Sequence, residues 1–144
     1  MKTATGRAKE QRRGMSTARV LLLVCMAACE LVWAQSVGPT DNKGSTTKPL
    51  GNIDLASEID GLSGRQLRAR LVTVEPGGHL AAHSHKGRPT LEYVVQGNII
   101  EVRNGVEIPH VAGDMVVATR DVSHWWENRS TAVAVLLPVD IYAP

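Results

Sequence analysis

Short apolar runs recur along the second half of the chain and are separated by glycine-rich segments. Residues 67–74 alternate between polar and apolar side chains and end in β-branched residues. Four further apolar runs follow, at 91–95, 99–102, 115–118 and 132–137. Alternation with a period of two and β-branched content are typical of strands that are buried on one face. The pattern therefore predicts a series of short β-strands.

The segments between these runs predict tight turns. Pro76-Gly77-Gly78 is expected to break the first strand, and Gly97-Asn98, Asn104-Gly105 and 112–114 separate the later ones. Asn-Gly between two strand-like runs favours a type I′ hairpin, because both residues tolerate positive φ. No segment after residue 34 keeps an apolar period of 3.6 residues long enough for a helix. The chain is predicted to be an all-β sandwich or barrel with a single domain.

The start of the chain has a different pattern. Residues 1–34 resemble a signal peptide, with basic residues up to Arg19, an apolar run at 20–29 and Ala34 at the expected cleavage site. Met15 is an alternative start of the same signal. An uncleaved membrane anchor and a lipid-anchored form are the alternatives, although the apolar run is short for a membrane span. We expect an exported protein, periplasmic or secreted, with no stable membrane insertion after cleavage.

The signal is expected to precede a flexible spacer and then the folded domain. Residues 35–52 are rich in Gly, Ser, Thr, Pro and Asn, which is typical of a spacer, and the barrel is expected to span 53–144. Residues 53–64 fit either a short strand or one helical turn. Both cysteines, Cys25 and Cys29, lie inside the signal, so the predicted domain has neither disulfides nor thiolate chemistry.

Charge and composition narrow the function classes. The formal charge is +2, but the residues before Gln35 carry +4, so the remainder carries −2. Without a basic face, binding to nucleic acid or to anionic lipid is not expected. The chain has no Phe, so its core must be largely aliphatic. Apolar strand edges left over from such a core would favour a homodimer.

The histidines are the strongest chemical signal. On an extended strand His83 and His85 point to the same side, and neutral imidazoles are good ligands for transition metals. Together with the distant His124 they predict a metal site. The alternative interpretation is that all three histidines are structural. His79 is expected either in the same cavity or at the strand mouth, and His110 at the solvated surface.

Two motifs resemble those of the cupin superfamily. Gly77, His83-Ser84-His85 and Tyr93 to Gly97 are similar to the first cupin motif, and Gly113-Asp114, His124 and Asn128 to the second. The resemblance covers roughly residues 67–141. It implies a double-stranded β-helix (jelly-roll) barrel in which His83, His85 and His124 bind one divalent transition metal, whether Fe, Zn, Ni, Mn or Cu.

The sequence departs from the cupin pattern at two places. Thr90 stands where the family has a metal-binding glutamate, and Glu92 shares its strand face, as a fourth ligand or as a nearby acid/base. We expect a three-histidine site with Glu92 close by. Thr119-Arg120-Asp121 replaces the Pro-x-Gly turn before His124, which leaves the geometry of that turn open.

The surroundings of the predicted metal suggest a pocket for a small molecule. Trp126 has the same strand parity as His124 and is expected to form one wall, together with His79 and Thr90, whereas Trp125 faces the other way. Arg88 and Arg120 are placed near the barrel mouth, either as clamps for an anion or as solvated loop residues.

Three functions fit this site. The first is a mononuclear-metal enzyme, dioxygenase- or isomerase-like, that acts on a small polar substrate. The second is a binding or sensing module without turnover. The third is a metal that only braces the barrel. Fold does not choose among them.

Overall fold

The computed structural model describes residues 37–144. The predicted signal segment 1–34, including both cysteines, lies outside the described residues. The described part contains nine β-strands, all paired antiparallel. They are β1 (Lys43–Asp54), β2 (Gln66–His79), β3 (His83–Ser84), β4 (Thr90–Gln96), β5 (Asn98–Arg103), β6 (Val106–Val111), β7 (Met115–Ala118), β8 (Ser123–Glu127) and β9 (Ala134–Tyr142).

The strands form one curled sheet, which confirms the predicted all-β barrel of the jelly-roll type. The strand order is β6-β5-β8-β2-β9-β4-β7, with β1 added to β2 and β3 added to β8. Six of the eight strand pairs join strands that are not consecutive in the chain, so the fold is closed mainly by long-range strand pairing. No helix able to cross a membrane occurs within residues 37–144.

Side-chain alternation places the core on the concave face. In β4, Thr90, Glu92 and Val94 are buried, while Leu91 and Tyr93 are exposed on the outer face. The buried apolar cluster is aliphatic apart from one tryptophan, as the absence of Phe requires. It consists of Val72, Val74, Val94, Ile99, Val116, Trp126, Ala134 and Leu136.

The outer face of β4 and β7 keeps an apolar surface. Leu91 lies opposite Val117, and Tyr93 lies opposite Met115. All four side chains are exposed in the single chain. Homodimer formation stays a prediction, and this surface is consistent with it.

The predicted flexible spacer is wrong over most of its length. Strand β1 begins at Lys43 and pairs with β2 from its first residue to its last. Almost all of its side chains are exposed, so the segment has the polar composition of a linker. Its order comes from the backbone ladder to β2, a contact that composition does not report.

One of the turns predicted from the sequence is present in the structure, and another is not. Asn104 and Gly105 both have positive φ, 49° and 84°, as a type I′ hairpin requires. In contrast, β2 continues through Pro76-Gly77-Gly78 to His79 instead of breaking there. Gly78 allows this continuation, because a Cβ there would lie 2.7 Å from the Gly44 carbonyl oxygen of β1. Of the segment 53–64, Ile53 and Asp54 complete β1, and hydrogen-bonded turns follow.

Candidate metal centre

Four side chains from three regions of the chain meet inside the barrel. His83 on β3 is the direct cross-strand partner of His124 on β8. His85 follows β3, and Glu92 lies on β4. One ligand atom from each of the four lies within 4.8 Å of all the others. The three sequence-predicted histidines are therefore brought together, and Glu92 lies beside them.

The distances between these atoms suit a single ion. His124 Nε2 lies 2.9 Å from His85 Nε2 and 3.2 Å from His83 Nε2. Glu92 Oε1 lies 3.6 Å from His85 Nε2 and 3.7 Å from His124 Nε2. Around an ion with bonds of about 2.1 Å, neighbouring ligand atoms lie roughly 3.0–3.4 Å apart. The cluster has nearly these spacings, so the residues present fit a divalent transition metal.

The other ring nitrogen of each histidine is engaged by an acceptor. His83 Nδ1 donates to the Ala81 carbonyl oxygen at 2.9 Å. His85 Nδ1 donates to Thr90 Oγ1 at 2.8 Å, whose own hydroxyl donates to the Arg88 carbonyl oxygen. A proton held on Nδ1 leaves the Nε2 lone pair free. These bonds thus select the tautomer that can bind a metal through Nε2.

Burial keeps His83 and His85 neutral. Burial lowers the pKa of His83 and of His85 to about 4, and their histidine neighbours act in the same direction. At neutral pH both rings therefore offer lone pairs. Burial also raises the pKa of Glu92, which nearby His124 and Arg70 partly oppose. A bound cation would favour its ionised form.

Glu101 is a part of the site that the sequence prediction missed. Its carboxylate is fully buried and accepts from His124 Nδ1 at 2.5 Å, from Arg103 Nε at 2.7 Å and from His110 Nε2 at 3.1 Å. Burial alone would raise the pKa of Glu101, but these hydrogen bonds together lower it to about 2. Glu101 therefore holds the His124 ring as an ionised acceptor. The available signal was a carboxylate in the apolar run 99–102, with the same parity as buried Ile99.

A cavity of 240 Å³ opens onto the cluster. Both His83 and Glu92 line it, so a small molecule inside could reach the metal ligands. Trp126 forms part of its wall, as predicted, and Arg70 and Arg88 contribute two guanidinium groups. The remaining wall is mainly apolar.

Two residues expected to line the pocket lie outside this cavity. His79 Nε2 lies 3.4 Å from Asp41 Oδ1, away from the cluster. Thr90 is buried beneath His85 and orients that ring instead. His110, expected at the solvated surface, lies on β6 and is hydrogen-bonded to Glu101 of β5. Of the two arginines predicted near the mouth, Arg88 lines the cavity, whereas Arg120 is exposed and does not.

Both ends of the second motif have structural roles. The segment before His124 lacks Pro-x-Gly but still closes a turn, because Val122 N donates to the Thr119 carbonyl oxygen at 3.0 Å. At the other end, buried Asn128 donates through Nδ2 to the carbonyl oxygens of Val74 and Ala132, each at 2.8 Å. Asn128 thereby connects the end of β8 to β2.

Comparison with known proteins agrees with this architecture. The family model described as "Cupin domain" matches residues 70–142. No curated protein gives a significant sequence match to the chain. Among solved structures, the chain is similar to a conserved protein with a double-stranded β-helix domain from Klebsiella pneumoniae, at 16% identity and a TM-score of 0.57, covering 69% of this chain and 77% of that one.

Two further structures are similar at the level of the fold. One is a cupin 2 conserved barrel domain protein from Salinispora arenicola, at 17% identity and a TM-score of 0.53, covering 68% of this chain and 76% of that one. The other is the polyketide cyclase RemF from Streptomyces resistomycificus, at 22% identity and a TM-score of 0.56, covering 72% of this chain and 68% of that one. With the family match over residues 70–142, these likenesses lead to one conclusion: the chain belongs to the cupin superfamily.

Proposed function

We propose that this cupin is a mononuclear-metal enzyme that acts on a small polar substrate. One observation carries the proposal: the four-residue cluster forms part of the wall of a cavity, through His83 and Glu92. A metal held there would be within reach of a molecule in the cavity. Export to the periplasm or the medium belongs to the same proposal and rests on the sequence of residues 1–34.

The residues of the cluster have separate roles in this proposal. His83, His85 and His124 would hold the ion through Nε2, and Glu92 would be either a fourth ligand or an acid/base group. The metal would supply Lewis-acid chemistry or dioxygen activation. Glu92 lies at the cavity wall, where its carboxylate could take a proton from a substrate and return it. Such chemistry is consistent with an isomerase-like or a dioxygenase-like reaction.

A purely bracing metal is the less favoured function. The described barrel already has a continuous apolar core, and each cluster histidine is oriented by its own Nδ1 hydrogen bond. We therefore expect the fold to persist without the ion.

Metal binding is tested with a matched pair of histidine variants. The buffer-exchanged wild type is expected to contain close to one divalent transition metal per chain by elemental mass spectrometry. His83→Ala should lose the metal but keep its circular dichroism spectrum. His79→Ala, which alters a histidine of the same segment outside the cluster, should keep both. Metal retained in His83→Ala would contradict the site, and unfolding of that variant alone would favour the bracing function.

Turnover is tested on the metal-loaded protein. Oxygen uptake by the iron-loaded form, with a panel of small acids and diketones, tests the dioxygenase-like reaction. Solvent deuterium incorporation into the same compounds tests the isomerase-like one. Glu92→Gln should lose turnover, because the amide cannot accept the proton. Tight binding of a panel compound without any turnover would favour the alternative of a binding or sensing module.

A further inference from the structure

The wall of the cavity combines two arginines, Arg70 and Arg88, with one carboxylate, that of Glu92, which belongs to the metal cluster. Buried Asp140 on β9 is the carboxylate nearest to three arginines. Arg68 forms a bidentate pair of hydrogen bonds to Asp140, from Nε to Oδ1 at 3.0 Å and from Nη2 to Oδ2 at 2.8 Å. Arg70 Nη2 shares Oδ2 at 3.1 Å, whereas Arg88 Nε is 3.9 Å away, beyond hydrogen-bond distance. One carboxylate therefore faces three guanidinium groups.

Arg70 also has a donor without an acceptor. Within residues 37–144, Arg70 Nε is the one buried side-chain polar atom that has no hydrogen-bond partner. Leaving a buried donor of a charged group unpaired is costly, so the Arg70 guanidinium is incompletely satisfied by the protein. Arg70 lines the cavity that His83 and Glu92 also line.

Arg88 lines the same cavity and is only partly exposed. Among residues 37–144 Asp140 accepts two hydrogen bonds from Arg68 and one from Arg70, but none from Arg88, so the Arg88 guanidinium has no hydrogen-bonded carboxylate partner. Planar guanidinium groups match the geometry of carboxylates, which they bind by charge-assisted hydrogen bonds. The cavity volume of 240 Å³ corresponds to roughly eight water molecules, so the ligand must be small.

We propose that Arg70 and Arg88 bind the carboxylate of a small organic acid inside this cavity, and that the acid is the substrate presented to the metal centre. The claim that the acid is a substrate rests on the proposed function, but the anion site itself depends only on the arginines. It restricts the substrate from any small polar molecule to a carboxylate of a few carbon atoms.

The test compares malonate with malonamide, its uncharged analogue of nearly the same size. Binding is measured by isothermal titration calorimetry on the protein as purified and again after dialysis against EDTA, because malonate also chelates metals. In both forms malonate should bind at least tenfold more tightly than malonamide. Inorganic phosphate, titrated in the same way, should bind more weakly than malonate.

Three variants assign the effect to the arginines. Arg70→Lys keeps the charge but removes the Nε donor and the planar fork, and Arg88→Gln removes a charge that is not hydrogen-bonded to Asp140. Each should weaken malonate binding about tenfold or more without changing malonamide binding. Arg120→Gln, an exposed arginine outside the cavity, is the matched control and should bind malonate like the wild type.

The outcomes separate this inference from the proposed function. Equal affinity for malonate and malonamide in the EDTA-dialysed wild type would overturn the anion site, whatever the metal content. So would wild-type malonate binding by a folded Arg88→Gln variant, even if Arg70→Lys failed to fold. Phosphate binding tighter than malonate would overturn the carboxylate assignment. Selective malonate binding by a wild type that contains no metal as purified, and takes up none when titrated with divalent transition metals, would support the anion site and contradict the metal enzyme.

Discussion

Replacing Glu101 by Gln tests the network that holds His124. The amide has nearly the shape of the carboxylate, so the change removes charge and not volume. The amide oxygen can still accept from His124 Nδ1, but the amide NH₂ would then face the Arg103 guanidinium, which can only donate. We expect a folded but less stable protein with weaker metal binding.

The magnitude follows from the pKa of Glu101. Hydrogen bonds from His124, Arg103 and His110 overcome the effect of burial and lower this pKa from 4.5 to about 2. That difference corresponds to about 3 kcal/mol of folding free energy. Loss of one partner of a buried charged network costs a similar amount, about 3–5 kcal/mol. Since Glu101 orients a metal ligand, metal affinity should also fall roughly 10- to 100-fold.

The pH dependence has a definite sign. Glu101 ionises more readily in the folded chain than in the unfolded chain, so its contribution is fully present above pH 4.5. As the pH falls from 4.5 towards about 2 the folded carboxylate becomes protonated and this stabilisation is lost. The difference in unfolding free energy between wild type and Glu101→Gln should therefore be constant near pH 7 and should shrink below pH 4.5.

Urea unfolding of the EDTA-dialysed proteins, followed by tryptophan fluorescence between pH 3 and pH 7, measures this difference. With an m value of about 2 kcal/mol/M, the midpoint of Glu101→Gln should be lower by roughly 1.5 M at pH 7. Glu107→Gln is the matched control, because Glu107 lies on the same hairpin in an exposed pair with Arg129 and should change nothing measurable. A Glu101→Gln midpoint equal to that of Glu107→Gln, or a difference independent of pH, would refute the reasoning.

Three further predictions concern the positions around the site. Gly97→Ala should destabilise the fold by more than about 1 kcal/mol in urea unfolding, because φ at Gly97 is +80° and a Cβ would lie 2.5 Å from the Val133 carbonyl oxygen. Thr90→Val should weaken metal binding by up to about tenfold in a chelator competition titration, since His85 Nδ1 loses its 2.8 Å acceptor and keeps only the Arg88 carbonyl oxygen at 3.1 Å, while Thr90→Ser should bind normally. Trp126→Ala should cost about 3–5 kcal/mol by the same unfolding assay, because Trp126 is 1% exposed within the core cluster; a cost below 1 kcal/mol would contradict that packing.

Much of the barrel could be predicted from local patterns. The apolar runs located β2, β4, β5, β7 and β9, and the Asn104-Gly105 pair predicted its hairpin, whereas β6 and β8 lie outside those runs. Such signals depend on residues that are close in sequence, so they are visible without coordinates. The signal peptide and the homodimer stay predictions.

The metal ligands were predictable for a related reason. His83 and His85 share a strand face, and the motif containing His124 resembles that of a known family. Glu92 followed from its parity with Thr90, and the structure places its Oε1 3.6 Å from His85 Nε2. The sequence left open whether that carboxylate would approach the histidines, because a side chain's parity does not set its distance from another strand.

Other features were decided only by tertiary structure. Strand β1 has linker-like composition and is ordered by its backbone ladder to β2. Nothing local in the sequence links Glu101, His110 and His124. The pairing of β5 with β8 brings Glu101 to His124 Nδ1, and the pairing of β5 with β6 brings His110 to Glu101. The sequence by itself determined which residues alternate, turn and resemble metal ligands, since these properties are local. Which acceptor orients each ligand, and which arginines share Asp140, depends on pairing between distant strands, and only the folded chain brings those groups within hydrogen-bond distance.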